Sequence, residues 1–290
     1  MADDATHEAH GHDAAALRRI LFIGDVVGDA GVDAIARHLP DLVARHRPTF
    51  VVANGENADI TGPNPASGCG LTPESAERLL AAGVDVITGG NHSWDGPRAA
   101  ETLAHPSVLR PHNYGSVAPG RGATVITRHG VRLGVVNLVS RTALPSADAP
   151  HDALLALLRT WREAQDVDLV LVDFHGDSIS EKQVFAWAFA GEVAAVLGTH
   201  THVATDDARI IPPGTAFVSD VGMTGPGGGM QGYDPSIFVR AMRTRLPLRG
   251  RAAFAGGPTE WGAVLITIHG RTAKRIERIR PNEDTRGGTA

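Results

Sequence analysis

Short apolar runs recur along the chain, and each closes on a cluster of polar residues. The stretches RILFIGD (19–25), TFVVANGEN (49–57), VDVITGGNH (84–92), VDLVLVDFHGD (167–177) and EVAAVLGTHTH (192–202) all have this form. Between them lie segments with apolar residues at helical spacing, notably 31–47, which continues despite Pro40, then 73–83, 95–104, 151–165 and 180–191. Thr72 is a natural N-cap for the second of these, and Gly83 a natural stop. Residues 123–138 read as a hairpin turning at His129-Gly130, and 215–223, 261–270 and 272–280 as further strands. Segment 60–73 is dense in glycine and proline and is read as loop. Apolar strands alternating with helices predict a layered α/β fold with a largely parallel centre, antiparallel near 123–138 and at the C-terminus.

Composition adds limits. The 290 residues are 42% hydrophobic and 20% charged, ordinary for a globular protein, and no apolar stretch reaches the ~20 residues of a membrane span. The expected organisation is a tail at 1–16, one domain over 17–280 and a C-terminal tail at 281–290. The acidic, histidine-rich N-terminus, with His7, His10 and His12, lacks the apolar core of a signal peptide, so a cytoplasmic protein is expected. A formal net charge of −5 gives no global nucleic-acid signature, and no basic patch is evident in this reading. The single cysteine, Cys69, rules out an intrachain disulfide and a thiolate zinc site.

The candidate chemistry lies at the strand ends. They deliver Asp25; Glu56 and Asn57; Asn91 and His92; His175; and His200 and His202. Ligands of open α/β sheets bind at the carboxyl ends of the strands, so residues far apart in sequence can converge there. Strand alternation would send the rings of His200 and His202 the same way. Imidazoles with carboxylate and amide oxygens suit Mn, Fe, Zn or Ni better than Ca. Two carboxylates, two amides and three histidines are too many for one ion and about right for two, an arrangement suited to displacement at phosphorus by a bridging hydroxide.

The ordered motifs GDVVG (24–28), NGEN (54–57), GGNHSWD (89–95), DFHGD (173–177), GTHTHV (198–203) and SDVGMTGP (219–226) resemble the YmdB-like branch of the calcineurin-like metallophosphoesterases. The resemblance implies a four-layer αββα sandwich with mixed central sheets and phosphodiesterase activity, including towards 2′,3′-cyclic nucleotides. It further implies two divalent ions, iron or manganese first and zinc as an alternative. Asp25, Glu56, Asn57 and His202 would hold one ion. Glu56 would bridge to the other, completed by Asn91, His175 and His200. His92 would be the general acid for the leaving oxygen, beside the metal-bridging hydroxide as nucleophile. A homo-oligomer is implied, with a small phosphodiester or cyclic nucleotide as substrate, RNA ends as an open further class, and no membrane partner.

The chain also departs from the branch. Asp177 stands where the branch has glutamate after His-Ala, and the 58–70 loop is longer and richer in proline. Asp95 reads most simply as a helix N-cap, and Asp173 and Asp220 as acceptors that could orient ligating histidines. The glycine-rich 225–232 lacks the lysine and spacing of a P-loop and is read as a rim or oligomer contact. Trp161, Trp187 and Phe189 are expected in the core. Two other functions remain open at this stage: a phosphomonoesterase or protein phosphatase on the same site, and a nucleotide-binding regulatory protein with little turnover.

Overall fold

A strand covered on both faces must be apolar throughout, and the continuous runs of the sequence form strands of that kind. A computed structural model describes residues 17–61 and 68–281. The N-terminal tail with His7, His10 and His12, residues 62–67 of the proline-rich loop and residues 282–290 lie outside the described residues. In chain order the elements are β1 (Leu17–Ile23), α1 (Gly28–His46), β2 (Phe50–Asn54), β3 (Asp59–Ile60), β4 (Cys69–Gly70), α2 (Pro73–Ala81) and β5 (Val86–Thr88). Next come α3 (Ala99–Thr102), β6 (Ala123–Arg128), β7 (Val131–Val139), α4 (Pro150–Ala164), β8 (Leu169–His175), α5 (Ile179–Ala188) and β9 (Ala195–Thr199). The chain closes with β10 (Arg209–Ile211), β11 (Thr215–Val218), β12 (Gly225–Pro226), α6 (Ser236–Thr244), β13 (Thr259–Glu260), β14 (Ala263–His269) and β15 (Thr272–Arg278).

Two mixed sheets result, in the orders β15-β14-β1-β2-β5 and β10-β11-β9-β8-β7-β6. The centre of each is parallel: β1 pairs with β2 and β2 with β5, while β7, β8, β9 and β11 run together. Antiparallel pairing is confined to the flanks, at β14 and β15, β6 and β10. The sheets share one apolar interface, with Ile20, Phe22, Phe50 and Val52 of the first packed with Leu133, Val135, Leu171 and Leu197 of the second. Each such side chain contributes roughly 1.5–3 kcal/mol on burial. The outer face of the first sheet packs on α1 and α2 through Val32, Ile35, Leu39 and Leu79. That of the second packs on α4 and α5 through Leu154, Leu158, Trp161 and Phe185. The order of layers is therefore helix, sheet, sheet, helix, as the resemblance implied.

Local chemistry explains the element boundaries. Thr72 Oγ1 accepts from Ser75 N–H at the start of α2, as expected of an N-cap. The β6–β7 hairpin turns at His129 and Gly130, whose φ values of 49° and 73° are the left-handed pair a tight two-residue turn needs. Three readings are corrected. The segment read as loop takes part in the short β3–β4 ladder, in which Ile60 pairs with Cys69 and Asp59 with Gly70. Trp187 is 57% exposed, so only Trp161 and Phe189 of the three aromatics are core. Helix α6 arises in a segment given no element. Among the described residues no helix is long and apolar enough to cross a membrane.

Candidate metal centre

The carboxyl ends of β1, β2 and β5 in one sheet and of β8 and β9 in the other bring the strand-end residues together. Asp25, Glu56, Asn57, His175 and His202 are buried, and Asn91, His92 and His200 half-buried. One premise of the sequence argument fails, because β9 ends at Thr199. His200 and His202 have φ values of 103° and 64°, conformations uncommon for residues with a side chain. Left-handed backbone, not strand alternation, turns their rings towards the other ligand-type residues.

The proton positions follow from the partners. Thr199 Oγ1 has one proton, which it donates to Asp173 Oδ1 at 2.6 Å. The same oxygen lies 2.9 Å from His175 Nδ1 and so accepts from it, which leaves the lone pair of a neutral His175 on Nε2. His202 Nδ1 donates to the Gln231 carbonyl at 2.8 Å, leaving its Nε2 lone pair facing inward. His200 Nε2 faces Asp177 Oδ1 at 2.9 Å, so its lone pair falls on Nδ1. Each of the three imidazoles is thus tied on one nitrogen and presents the other to the interior, the arrangement found around metal-ligating histidines.

Four such atoms meet. His175 Nε2 lies 2.6 Å from Glu56 Oε2, 2.9 Å from His200 Nδ1 and 3.1 Å from Asn91 Oδ1. One N–H could serve only one of these acceptors, and the buried Glu56 Oε2 is in hydrogen-bonding geometry with no group. Burial would raise Glu56, yet the facing His175 holds its carboxyl well below the usual range. Burial would lower His175, yet Glu56 and then Asp25 push it up. His200 is lowered to about 4 by burial and by His175. A knot of lone pairs that draws in a positive charge fits a divalent cation, and Glu56, His175 and His200 offer donor atoms mutually within 4.8 Å. Gly90 makes room for them: a Cβ there would sit 2.4 Å from both Glu56 Oε2 and His175 Nε2.

The second expected set is looser. His202 Nε2 is 3.9 Å from Asp25 Oδ1, whose carboxylate also accepts from the His200 backbone N–H, and burial pushes Asp25 up. Asn57 presents Nδ2, not Oδ1, to His202 Nε2 at 3.0 Å, while its Oδ1 accepts from the Tyr233 hydroxyl at 3.2 Å. An amide nitrogen is no ligand, so Asn57 would join the set only with its amide turned over.

His92 stands at the edge of this cluster. Its backbone N–H donates to Glu56 Oε1, and its Nδ1 pairs with Asp95 Oδ2 at 2.6 Å. Burial would lower the imidazole, but Asp95 and Glu56 raise it. Asp95 is therefore not the N-cap of α3, a position held by Arg98, but a partner of His92. The ring lines a cavity of about 270 Å³ with Asp177, His200, His202, Gln231, Tyr233 and Phe238.

The surrounding polar groups lock the strand ends. Asp173, pushed up to about 6 by burial, accepts from Thr88 Oγ1 and Asn54 Nδ2 besides Thr199, and so orients His175 through the threonine, not directly. Among the described residues Asp220 forms no hydrogen bond or ion pair with a histidine. It takes the buried Lys182 ammonium at 3.2 Å and the Thr201 backbone N–H, and Lys182 also caps the Thr199 carbonyl. Lys182, Thr199, Gln231 and Tyr233 were not singled out by the sequence. The glycine-rich rim that leads into Gln231 and Tyr233 was their only trace. Arg240, Arg243, Arg245, Arg249 and Arg251, which the sequence reading did not weigh, are all exposed on one segment whose Phe238 and Ala252 line the cavity.

Comparison with known proteins points the same way. The YmdB-like protein family matches residues 21–279. A 2′,3′-cyclic-nucleotide 2′-phosphodiesterase of Bacillus subtilis is 41% identical over 272 residues, 92% of this chain and 98% of that enzyme. A Thermus thermophilus protein of known structure superposes with a TM-score of 0.81 at 37% identity, over 90% of this chain and 98% of that one. A phosphatase of Mycoplasma pneumoniae gives 0.82 at 30% identity, over 91% and 93%. A 5′-nucleotidase precursor of Thermus thermophilus gives 0.53 at 14% identity, over 91% of this chain and 54% of that one, and shares the fold alone.

Proposed function

Because the chain belongs to the YmdB-like family of metal-dependent phosphoesterases, we propose that it hydrolyses small phosphodiesters such as 2′,3′-cyclic nucleotides at two divalent cations. One observation carries the reading: His175 and His200, each anchored on its outer nitrogen, turn their lone pairs towards a Glu56 carboxylate oxygen that is in hydrogen-bonding geometry with no group. Glu56, Asn91, His175 and His200 would hold one cation, and Asp25, Glu56, His202 and a turned Asn57 the other, with manganese or iron the best match to this donor set. Bound, the cations supply Lewis-acid charge against the phosphate oxygens and activate water.

The chain's own residues supply the rest. Asp95 fixes His92 Nδ1–H, so that Nε2 serves the cavity as proton donor to the departing oxygen. The raised basicity of His92 keeps that proton in place near neutral pH. Asp177, Thr199 and the Gln231 carbonyl hold the other three rings in one tautomer each. Tyr233, stacked between His202 and Phe254, and Phe238 form an apolar wall that limits water. A site assembled from both sheets over one shared core also favours residues 17–280 acting as a single unit.

The test is hydrolysis of bis-p-nitrophenyl phosphate, 2′,3′-cyclic AMP and a phosphomonoester by protein stripped of metal and reloaded with Mn²⁺, alongside a metal count. Two ions per chain with turnover of both diesters is the expected result. Turnover of the monoester alone would make it a phosphomonoesterase, and no tightly held metal would overturn the centre itself.

A further inference from the structure

Between Asp234 and Glu260 the chain carries five arginines and no acidic residue. This run contains α6, none of whose residues is buried, so the helix stands away from the core. All five arginines are exposed, and among the described residues none is paired with a carboxylate. Two of them reach backbone carbonyls: Arg240 that of Arg249 at 2.9 Å, and Arg251 that of Ile60 at 3.3 Å. Local charge of +5 on a chain of net charge −5 is a concentrated positive field. The segment is also continuous with the catalytic cavity. Phe238 of α6 and Ala252 line that cavity, and Phe254 stacks on Tyr233, which in turn stacks on His202.

We propose that this arginine segment binds the phosphate backbone of a single-stranded oligoribonucleotide whose 3′-terminal 2′,3′-cyclic phosphate enters the cavity. The inference rests on the phosphodiesterase reading above and names its substrate class. A cavity of about 270 Å³ is at or below the small end of ligand pockets, ~300–1,000 Å³, so only a terminal nucleotide fits and any upstream chain must lie outside. What continues from the cavity, between Phe238 and Ala252 in its lining, is the segment that carries Arg240, Arg243, Arg245, Arg249 and Arg251, side chains that suit phosphates through charge and paired N–H donors. A free mononucleotide, whose only phosphate sits at the cations, would leave them unused. An amphipathic basic helix could also lie on an anionic membrane. Its continuity with the cavity favours a ligand that occupies both, which a bilayer cannot do.

The experiment compares 2′,3′-cyclic AMP with a hexaribonucleotide ending in 2′,3′-cyclic phosphate, using the Mn²⁺-loaded full chain and its R243Q/R245Q/R249Q variant. Those three side chains are solvent-facing, so the variant is expected to keep wild-type turnover of the mononucleotide. For the wild type we expect KM for the hexamer about tenfold below that for the mononucleotide. That figure applies at 50 mM salt; with about three phosphates contacted at ~0.7 counterions each, binding through them weakens roughly 20-fold by 200 mM, so the advantage disappears there. The triple variant loses it. Equal KM values and equal salt dependence for the two substrates, or a hexamer KM unmoved by the triple substitution, would overturn the proposal.

A parallel measurement separates it from the catalytic reading. Fluorescence anisotropy of a labelled hexamer with a non-cyclic 3′-phosphate reports arginine-dependent binding even if no substrate turns over. Loss of turnover with that binding intact would fault the phosphodiesterase reading alone. Arginine-dependent sedimentation with phosphatidylglycerol vesicles that the hexamer does not displace would reassign the segment to a membrane surface.

Discussion

A histidine that protonates a leaving oxygen needs one ring nitrogen anchored and the other facing the substrate, and Asp95 gives His92 that anchor. The need for the proton depends on what leaves. A ribose hydroxyl is a poor leaving group, whereas p-nitrophenolate departs readily unprotonated. His92→Ala should therefore lower kcat on 2′,3′-cyclic AMP by ~10²-fold or more. It should cost bis-p-nitrophenyl phosphate much less and leave the metal count unchanged. Equal losses on both substrates would remove the acid role. Asp177 belongs to a different class: it meets His200 on the nitrogen turned away from the donor cluster. Asp177→Ala should weaken metal affinity by ~10–100-fold, read by competition with a chelator, while excess Mn²⁺ restores kcat. The convergence of Asp25, Glu56, Asn91, His92 and His175 was legible because a strand end fixes where its next residues go, whereas His200 and His202 were expected there by an alternation that the strand does not continue. Gln231, Tyr233 and Lys182 were not legible, since their reach depends on how a loop and a helix pack on distant strands. The turn of the HxH pair was misread for the same reason: nothing local announces the left-handed backbone of His200.

At the scale of elements, what could be read was whatever carries its own instructions. The continuous apolar runs of β2 and β8, the Thr72 cap and the His129-Gly130 turn each specify their structure within a few residues. The ladders β3–β4 and β12–β13 were missed because each strand is two residues long and formed only by its partner; Gly225, for instance, pairs with Glu260. The loop between β9 and β10 is tied to the end of β11 in a comparably non-local way. Asp207 accepts from the Ser219 backbone N–H at 3.0 Å and from Ser219 Oγ and Thr205 Oγ1. Burial would raise this carboxyl, but those donors bring it below its ordinary value. A carboxyl depressed in the folded state contributes stability that is present above its unfolded pKa of ~3.9 and lost as pH falls through the folded value. Urea midpoints should therefore place wild type above Asp207→Asn at pH 7, with the gap closing towards pH 3. A gap that did not change with pH would assign Asp207 a shape role, not a charge role.

Across the whole molecule, the proposed donor set divides between the sheets: Asp25, Glu56, Asn57 and Asn91 follow strands of one, His175, His200 and His202 those of the other. The apolar interface already holds the sheets together, so the proposed cations would not be needed for the fold to form. Bound, they would relieve a burden that the fold carries, a buried cluster of carboxylates and imidazoles in which Glu56 Oε2 is left without a hydrogen-bond donor. Ligands that bind only the folded state stabilise it by mass action, ~2.7 kcal/mol at a free concentration 100 times Kd. At ~2–4 °C per kcal/mol for chains of about this size, Mn²⁺ at that concentration should raise the melting temperature by ~5–10 °C over chelated protein. The histidine-rich N-terminus is a rival binder, and Glu56→Gln separates the two, because it removes the carboxylate charge from the buried cluster and leaves the N-terminal histidines unchanged. The Mn²⁺-induced shift should largely vanish in that variant. A shift of wild-type size there would mean that the metal acts elsewhere, and that the lone pairs around His175 are satisfied by protons alone.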